Sequence, residues 1–445
     1  MHGFIISSSF LACLQPFASC FTAPSYRSFV AMCAGWILCL GRHTITGVMR
    51  SAGVVGLKHH TSFQRFFRSA RWVPDVVGLT VLRLVLALVP TNHPVVVAVD
   101  DTLARHTGKR IASAGMHRDP LLSTATRVFF HFGHVWVVMA VVVQVPKWNK
   151  SFALPVLVRL YRPKKVCQKM GLKHIKKTEM AAEMTNILAG AIGDRELIFV
   201  GDNGYTNRAV LQTLPEGSCF VGRGRMDAAV FASPPARRKG EMGRPRVKGP
   251  QLPSPEKRAN AQHAKWVEVD VLIYGRPARV KVLMFDALWY RAARGRLLRH
   301  VVIRDWPGHK KDDVLVCTDT TKSPAWIIQA FCLRWSLEET FHWCKSKLGL
   351  EDPQNRTEQA VQRTAPMSLW MYSLITYWYL IVGQNTRFAR WPSLPWYQSK
   401  RIPAFSDMLA TLRWETWQQR LLDQAGSDRL DQKSLEPLLE MVGYG

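Results

Sequence analysis

The run Pro94-Val-Val-Val-Ala-Val-Asp100-Asp101-Thr102 is apolar and β-branched until it ends in two adjacent acids. A continuous apolar run of this length is typical of a strand that is buried on both faces of a sheet. Leu197-Ile-Phe-Val-Gly-Asp202-Asn-Gly-Tyr205 repeats the pattern. Ligands of α/β folds commonly bind where such strands end. The sequence therefore predicts an α/β fold with carboxylates over one sheet edge, although either Asp could instead open a turn or cap the next element.

A third acid lies in Phe331-Cys-Leu-Arg334-Trp-Ser-Leu-Glu338-Glu-Thr-Phe-His-Trp-Cys-Lys345. On one α-helix, at about 100° per residue, Phe331, Arg334, Glu338 and Lys345 fall within about 60° of one another. Ser323 followed by Pro324 predicts where the helix begins. One carboxylate between two cations suits a site that holds a metal ion and contacts phosphate oxygens. The alternative is a surface helix with ordinary ion pairs between successive turns.

Mg²⁺ is a hard cation that prefers carboxylate and phosphate oxygens. Asp100, Asp202 and Glu338 are therefore the candidate catalytic residues and metal ligands. Alternation along the first strand places Asp100 and Thr102 on one face and Asp101 on the other. We assign Asp100 as the ligand and Asp101 as a neighbouring acid that supports it.

Three motifs in this order resemble those of DDE-type transposases of bacterial insertion sequences, over roughly residues 40 to 385. The group concerned has the signature Tyr-x-x-Arg-x-x-x-Glu-x-x-x-x-x-x-Lys, which residues 331–345 match except that Phe331 replaces Tyr. Asp100-Asp-Thr102 is similar to its first-acid motif, and Asp202-Asn-Gly-Tyr205 to its second. The missing Tyr hydroxyl removes one phosphate contact that the resemblance would imply.

The resemblance implies a ribonuclease-H-like mixed sheet flanked by helices, with acids from two strands and one helix. It implies two Mg²⁺ ions, replaceable by Mn²⁺, with Asp100 between both ions, Asp202 on one and Glu338 on the other. Arg334 and Lys345 would bind the flanking phosphates. The implied activity is cutting of double-stranded DNA at terminal inverted repeats and joining to target DNA, by a homodimer in the synaptic complex. The implied location is the bacterial cytoplasm, at the nucleoid.

Turn-forming residues and changes in composition along the chain predict five segments. A helical N-terminal segment spans 1–92, and two further parts span 93–218 and 310–385; the resemblance implies that the first is a DNA-binding domain and that the other two form the catalytic core. Between the two core parts, 219–309 reads as a β-rich insertion because several of its stretches alternate in the manner of strands. A mostly helical tail spans 386–445.

The chain is strongly basic, with 60 Lys and Arg against 32 Asp and Glu and a net charge of +28. Such an excess favours a polyanionic partner. Basic residues interleaved with aromatics near the N-terminus, and a basic Pro- and Gly-rich loop in the insertion, are the candidate DNA contacts; the alternatives are a solvated basic helix face and a plain exposed linker. They are Lys58, Arg65, Arg68, Arg71, Arg237, Arg238, Lys239, Arg244, Arg246 and Lys248.

Three other functional classes stay open at this point. A DNA-binding regulator without catalysis would keep the basic surfaces, and a nuclease without strand transfer would cut DNA but never join ends. A membrane protein is the third, because Met367–Val382 is apolar; we expect this segment to be a buried helix on the catalytic sheet instead. Nine cysteines without metal-ligand spacing indicate reduced thiols in a cytoplasmic protein.

Overall fold

The computed structural model describes residues 6–108, 110–124, 126–236, 242–309, 311–389 and 400–425. The α-helices, numbered α1 to α13 in chain order, are Ser8–Leu14, Ala23–Leu38, Ile45–Ala52, His60–Arg68, Pro74–Leu86, Lys164–Lys169, Lys177–Ile192, Arg208–Leu211, Pro255–Ala259, Pro324–Cys332, Trp335–Ser346, Glu358–Ile381 and Phe405–Ala425. The strands, β1 to β12, are Val95–Arg105, Gly115–Arg118, Phe130–Val145, Lys150–Tyr161, Leu197–Gly201, Cys219–Arg223, Val230–Phe231, Gln251–Leu252, Val267–Ile273, Arg276–Leu288, Leu297–Arg304 and Asp313–Cys317.

All twelve strands join one mixed sheet. Its order is β2-β3-β1-β5-β6-β12-β11-β10-β7-β8, with β4 also paired to β3 and β9 to β10. β1, β5 and β6 run parallel, whereas β3 and β4 form an antiparallel ribbon on the outer side of β1. The order β4-β3-β1-β5-β6 is consistent with the expected ribonuclease-H-like core.

The β-rich segment extends this sheet instead of forming a separate one. Cys219–Arg223, which the sequence places at the start of the insertion, is β6 and pairs in parallel with β5. β12 returns beside β6, and β11 and β10 continue outward from it. β9, β10 and β11 lie within 219–309, where the alternating stretches predict strands. The five segment boundaries themselves stay a prediction.

Helices cover both faces of the core sheet. Lys177, the first residue of α7, contacts Asp101 on one face, whereas Arg334, the residue just before α11, contacts Asp100 on the other. On β4, Ser373 of α12 donates a hydrogen bond to the carbonyl oxygen of Pro155 at 2.8 Å.

The apolar segment Met367–Val382 lies mostly within α12, whose side chains are largely buried against the sheet, as expected. In the described ranges no helix combines the length and the apolar character that crossing a membrane requires. All nine cysteines are buried and unbridged.

One local prediction is wrong. The stretch from Phe331 to Lys345 is not one continuous helix, because α10 ends at Cys332 and α11 begins at Trp335. At the junction, the amides of Leu333 and Arg334 bond to carbonyls three residues back, at 3.2 and 3.1 Å. This tighter winding separates Phe331 from the helix that carries Glu338 and Lys345. Ser323 does cap α10, accepting a hydrogen bond from the amide of Trp326.

Candidate active site

β1 and β5 bring the first two acids to one edge of the sheet. The two strands are parallel, with Val99 opposite Gly201, so Asp100 and Asp202 follow at equivalent positions. Asp202 closes a tight turn, since its Oδ1 accepts hydrogen bonds from the amides of Gly204 at 2.8 Å and Tyr205 at 3.3 Å. The strand register therefore sets two carboxylates side by side.

Helix α11 adds the third acid and a cation. Nη1 of Arg334 donates to Oδ2 of Asp100 at 2.5 Å, and Nη2 donates to Oε1 of Glu338 at 2.7 Å. Arg334 also holds down the pKa of Asp202, against a larger opposing effect of burial. Two strands and one helix thus gather the three predicted acids around a single guanidinium group.

The electrostatics of this cluster are dominated by burial. Burial raises the pKa of Asp100 to about 7, Arg334 opposes that rise, and the nearby Asp202 and Asp101 add to it. Burial likewise raises the pKa of Asp202. The pKa of Arg334 is lowered by burial but raised more by its acidic neighbours, so it stays a cation. Crowded, partly desolvated carboxylates of this kind favour a bound positive charge.

The donor set fits a hard divalent cation, because all three groups supply carboxylate oxygens. Arg334 already lies among them. Across the residues that the structure describes, no three His, Cys, Asp or Glu side chains are arranged as a ready metal cluster. The Nε of Arg334 is buried without a hydrogen-bond partner. The chemistry of the site therefore suits Mg²⁺, while the geometry is that of carboxylates neutralised by arginine.

Asp101 points to the opposite face from Asp100, as strand alternation predicts. Its carboxylate accepts from Nζ of Lys177 at 2.6 Å and from the hydroxyl of Tyr205 at 3.0 Å. Tyr205 belongs to the second-acid motif, so this contact ties the two acidic strands together behind the site. Asp101 is placed to support the site and not to join the cluster around Arg334.

Lys345 lies away from the three acids. Its Nζ donates to the carbonyl oxygen of Leu103 at 2.7 Å and lies 3.7 Å from Glu351. Burial lowers its pKa, an effect that Glu351 partly offsets. The structure thus brings Arg334 into the cluster, whereas Lys345 lies about two helical turns after Glu338, beside Leu103 of β1. Phosphate binding by either residue stays a prediction.

Two residues near the cluster have no signal in the sequence motifs. Tyr274 occupies the turn between β9 and β10 and contacts Trp335, with ring centroids 5.2 Å apart and the ring planes tilted by 50°. Arg223 ends β6 and forms a bidentate ion pair with Asp313. Nothing local indicates that this turn reaches α11, about sixty residues later in the chain.

The candidate DNA contacts are dispersed over the surface. Arg65 and Arg68 are exposed on α4, whose other face buries Phe63, Phe66 and Phe67, and Lys58 and Arg71 are exposed beside it. Arg244 and Arg246 are exposed in the insertion, and Nζ of Lys248 lies 3.8 Å from the centre of the Phe231 ring. Arg237, Arg238 and Lys239 lie outside the described residues.

Comparison with known families agrees with the motifs. A family model described as DDE superfamily endonuclease matches residues 16–282, which is 267 of the 445 residues. The matched range contains Asp100 and Asp202 and ends before Glu338. No curated protein matches the chain. The matched family supports the DDE-type resemblance, whereas the subgroup named by the Tyr-Arg-Glu-Lys signature stays a prediction. On this match, and with the acids gathered as described, the chain belongs to the DDE superfamily endonucleases.

Proposed function

We propose that this protein is a DNA transposase, which cuts an insertion element at its terminal repeats and joins the ends to target DNA. The observation that carries the proposal is the convergence of Asp100, Asp202 and Glu338 on the guanidinium of Arg334. These acids lie more than a hundred positions apart in the chain, so their convergence is produced by the fold and supports a common site. Membership of the endonuclease family supports the same conclusion.

On this proposal Asp100, Asp202 and Glu338 hold the two divalent ions. When bound, such ions would supply the Lewis acidity that activates a water or 3′-hydroxyl and stabilises the leaving oxygen. The protein's own contribution is positioning. β1 and β5 fix two carboxylates by their register, and Tyr205 and Lys177 hold the first strand in place through their contacts with Asp101. Arg334 can bind phosphate oxygens once bound cations neutralise the acids in its place.

The substrate is double-stranded DNA, and the net charge of +28 favours it. We assign repeat binding to the N-terminal helices, where α4 exposes Arg65 and Arg68, and further backbone contacts to the basic insertion loop. Pairing of two DNA ends would require at least a homodimer in the synaptic complex. The cytoplasm and nucleoid of a bacterium are the corresponding location.

The decisive experiment incubates the purified protein with a duplex that carries the repeats flanking its coding sequence, with Mg²⁺ or with EDTA. We expect Mg²⁺-dependent cleavage, and we expect Asp100→Asn, Asp202→Asn and Glu338→Gln each to abolish it while DNA binding persists. Capture of the cut end by a plasmid distinguishes a transposase from a nuclease that only cuts. If the wild type does not cut with Mg²⁺, a DNA-binding regulator without catalysis would be the better explanation of the protein's function.

Glu339→Gln is the matched control for Glu338→Gln. Glu339 is the adjacent acid on α11, but it points away from the cluster and pairs with Lys150 at 3.3 Å. We expect this variant to cleave like the wild type. Full activity of the Glu338→Gln variant would overturn the assignment of the third acid.

A further inference from the structure

Phe331 provides no hydrogen-bond donor at the position where the resemblance implies a tyrosine. Its ring is buried, with its edge against Trp306 at a centroid distance of 6.2 Å. The guanidinium carbon of Arg334 lies 5.7 Å from the ring centre. Phe331 therefore packs beside Arg334, and α10 offers no hydroxyl at this position for a polar contact with DNA.

Tyr274 is held in a backbone conformation that disfavours its side chain. Its φ is +51°, in the left-handed region, and the next residue, Gly275, has φ of +76°. The turn is fastened to the loop between β3 and β4, because the side-chain amide of Asn149 donates to the carbonyl oxygen of Gly275 at 2.9 Å. A bulky residue in this region costs free energy that Gly or Asn would avoid. Its presence points to a use for the phenol.

The surroundings of the phenol indicate that use. The Tyr274 ring contacts Trp335, the residue directly after Arg334, and both aromatics are nearly half exposed, at 46% and 45%. With Leu333, Ser336 and Glu339 they line a cavity of about 520 Å³ at the start of α11. Tyr274 thus lies against the residue that follows Arg334, on a turn contributed by the insertion.

The charges that act on the phenol are those of the site. Burial raises the pKa of Tyr274, as do Cys332 and Glu338, while Arg334 and Arg223 oppose the rise. The group is therefore a protonated, neutral hydroxyl at physiological pH, with two guanidinium groups in its electrostatic environment. A neutral donor beside two cations suits a phosphate oxygen.

We propose that the Tyr274 hydroxyl donates a hydrogen bond to a phosphate of the DNA strand held at Arg334, taking over the contact that Phe331 cannot make. The inference rests on the proposed function and names a substrate-binding residue within it. The insertion would then complete the active site through its β9–β10 turn, in addition to extending the sheet.

The test is Tyr274→Phe, which removes one oxygen atom and keeps the ring against Trp335. A hydrogen bond to a charged group is worth roughly 1.5–3 kcal/mol, so we expect kcat/KM for cleavage of the terminal-repeat duplex to fall by about 10- to 100-fold. The unfolding midpoint should be unchanged. Tyr377→Phe is the control, because Tyr377 lies on α12 and packs against the hydrophobic core, outside both the carboxylate cluster and the candidate DNA contacts; we expect wild-type cleavage.

A second measurement separates a phosphate contact from an effect on the turn. Duplexes carrying a single neutral methylphosphonate at each position around the cut are cleaved by the wild type and by the Tyr274→Phe variant. On one of them the two proteins should cleave at the same rate, because the partner of the hydroxyl has lost its charge. Cleavage of unmodified DNA by the variant within twofold of the wild type would refute the inference, and so would a rate gap that persists on every modified duplex. A wild type that does not cut at all would refute the proposed function instead.

Discussion

Replacing Asp100 by Asn should abolish cleavage and yet make the metal-free protein more stable. The pKa of Asp100 is raised from 3.8 to about 7, with burial as the largest cause. Because the folded-state pKa lies above the unfolded one, the stability that the protonated carboxyl contributes is fully present below pH 3.8 and is lost as the pH rises to about 7. Ionised Asp100 then disfavours the folded state by roughly 4 kcal/mol at pH 8 and by less than about 2 kcal/mol at pH 5.

Asn keeps the shape of the side chain but carries no charge, so it removes this cost. For unfolding entropy of about 2.1 cal/mol/K per residue, a gain of about 4 kcal/mol raises the unfolding midpoint of a chain of this length by about 4 °C. The assay is thermal unfolding in EDTA at pH 8 and pH 5, with the larger gain expected at pH 8. Added Mg²⁺ should raise the midpoint of the wild type but not that of the variant.

Asp101→Asn is the matched control for this prediction. Neutralising Asp101 weakens its ion pair with Lys177 but also removes a negative charge that raises the pKa of Asp100, so this variant should change the unfolding midpoint much less than Asp100→Asn at either pH. An Asp100→Asn variant that melts below the wild type at pH 8 without metal would contradict the reasoning. It would mean that the bond to Arg334 outweighs the desolvation of the carboxylate.

Three further outcomes follow from other parts of the fold. Burial lowers the pKa of His300 to about 4. Between about pH 6.5 and pH 5 only the unfolded state therefore gains this proton, and the free energy of unfolding decreases as the pH is lowered. His300→Phe should remove about 1.5 kcal/mol of that decrease, measured by urea unfolding. Arg65→Ala should flatten the plot of log affinity against log salt for terminal-repeat DNA by about 0.9, and an unchanged slope would remove it from the phosphate contacts. Gly78→Ala should lower the unfolding midpoint strongly, because the added Cβ would lie 2.2 Å from the carbonyl oxygen of Val156. Gly190→Ala is the matched control: its Cβ would have no neighbour within 4 Å, and it should raise the midpoint because Ala favours a helix more than Gly does.

The local pattern of the chain was sufficient to identify the strands and the acids at their ends. β1, β5 and β9 to β11 lie where apolar runs or alternation predict them, because burial on a sheet gives the sequence a period that short segments show. The opposite orientations of Asp100 and Asp101 follow from the same period. Family motifs then connected Asp100 and Asp202 with Glu338, although these acids are far apart in sequence.

Only the tertiary structure decided what surrounds those acids. The packing of α11 on the sheet sets three features: the turn between α10 and α11, the position of the Arg334 guanidinium between Asp100 and Glu338, and the hydrogen bond from Lys345 to Leu103. The approach of Tyr274 to Trp335 depends on a hairpin that joins the sheet far from the core strands. Periodicity reports which face of an element is buried, but the partner of each side chain is set by long-range packing that no local window contains.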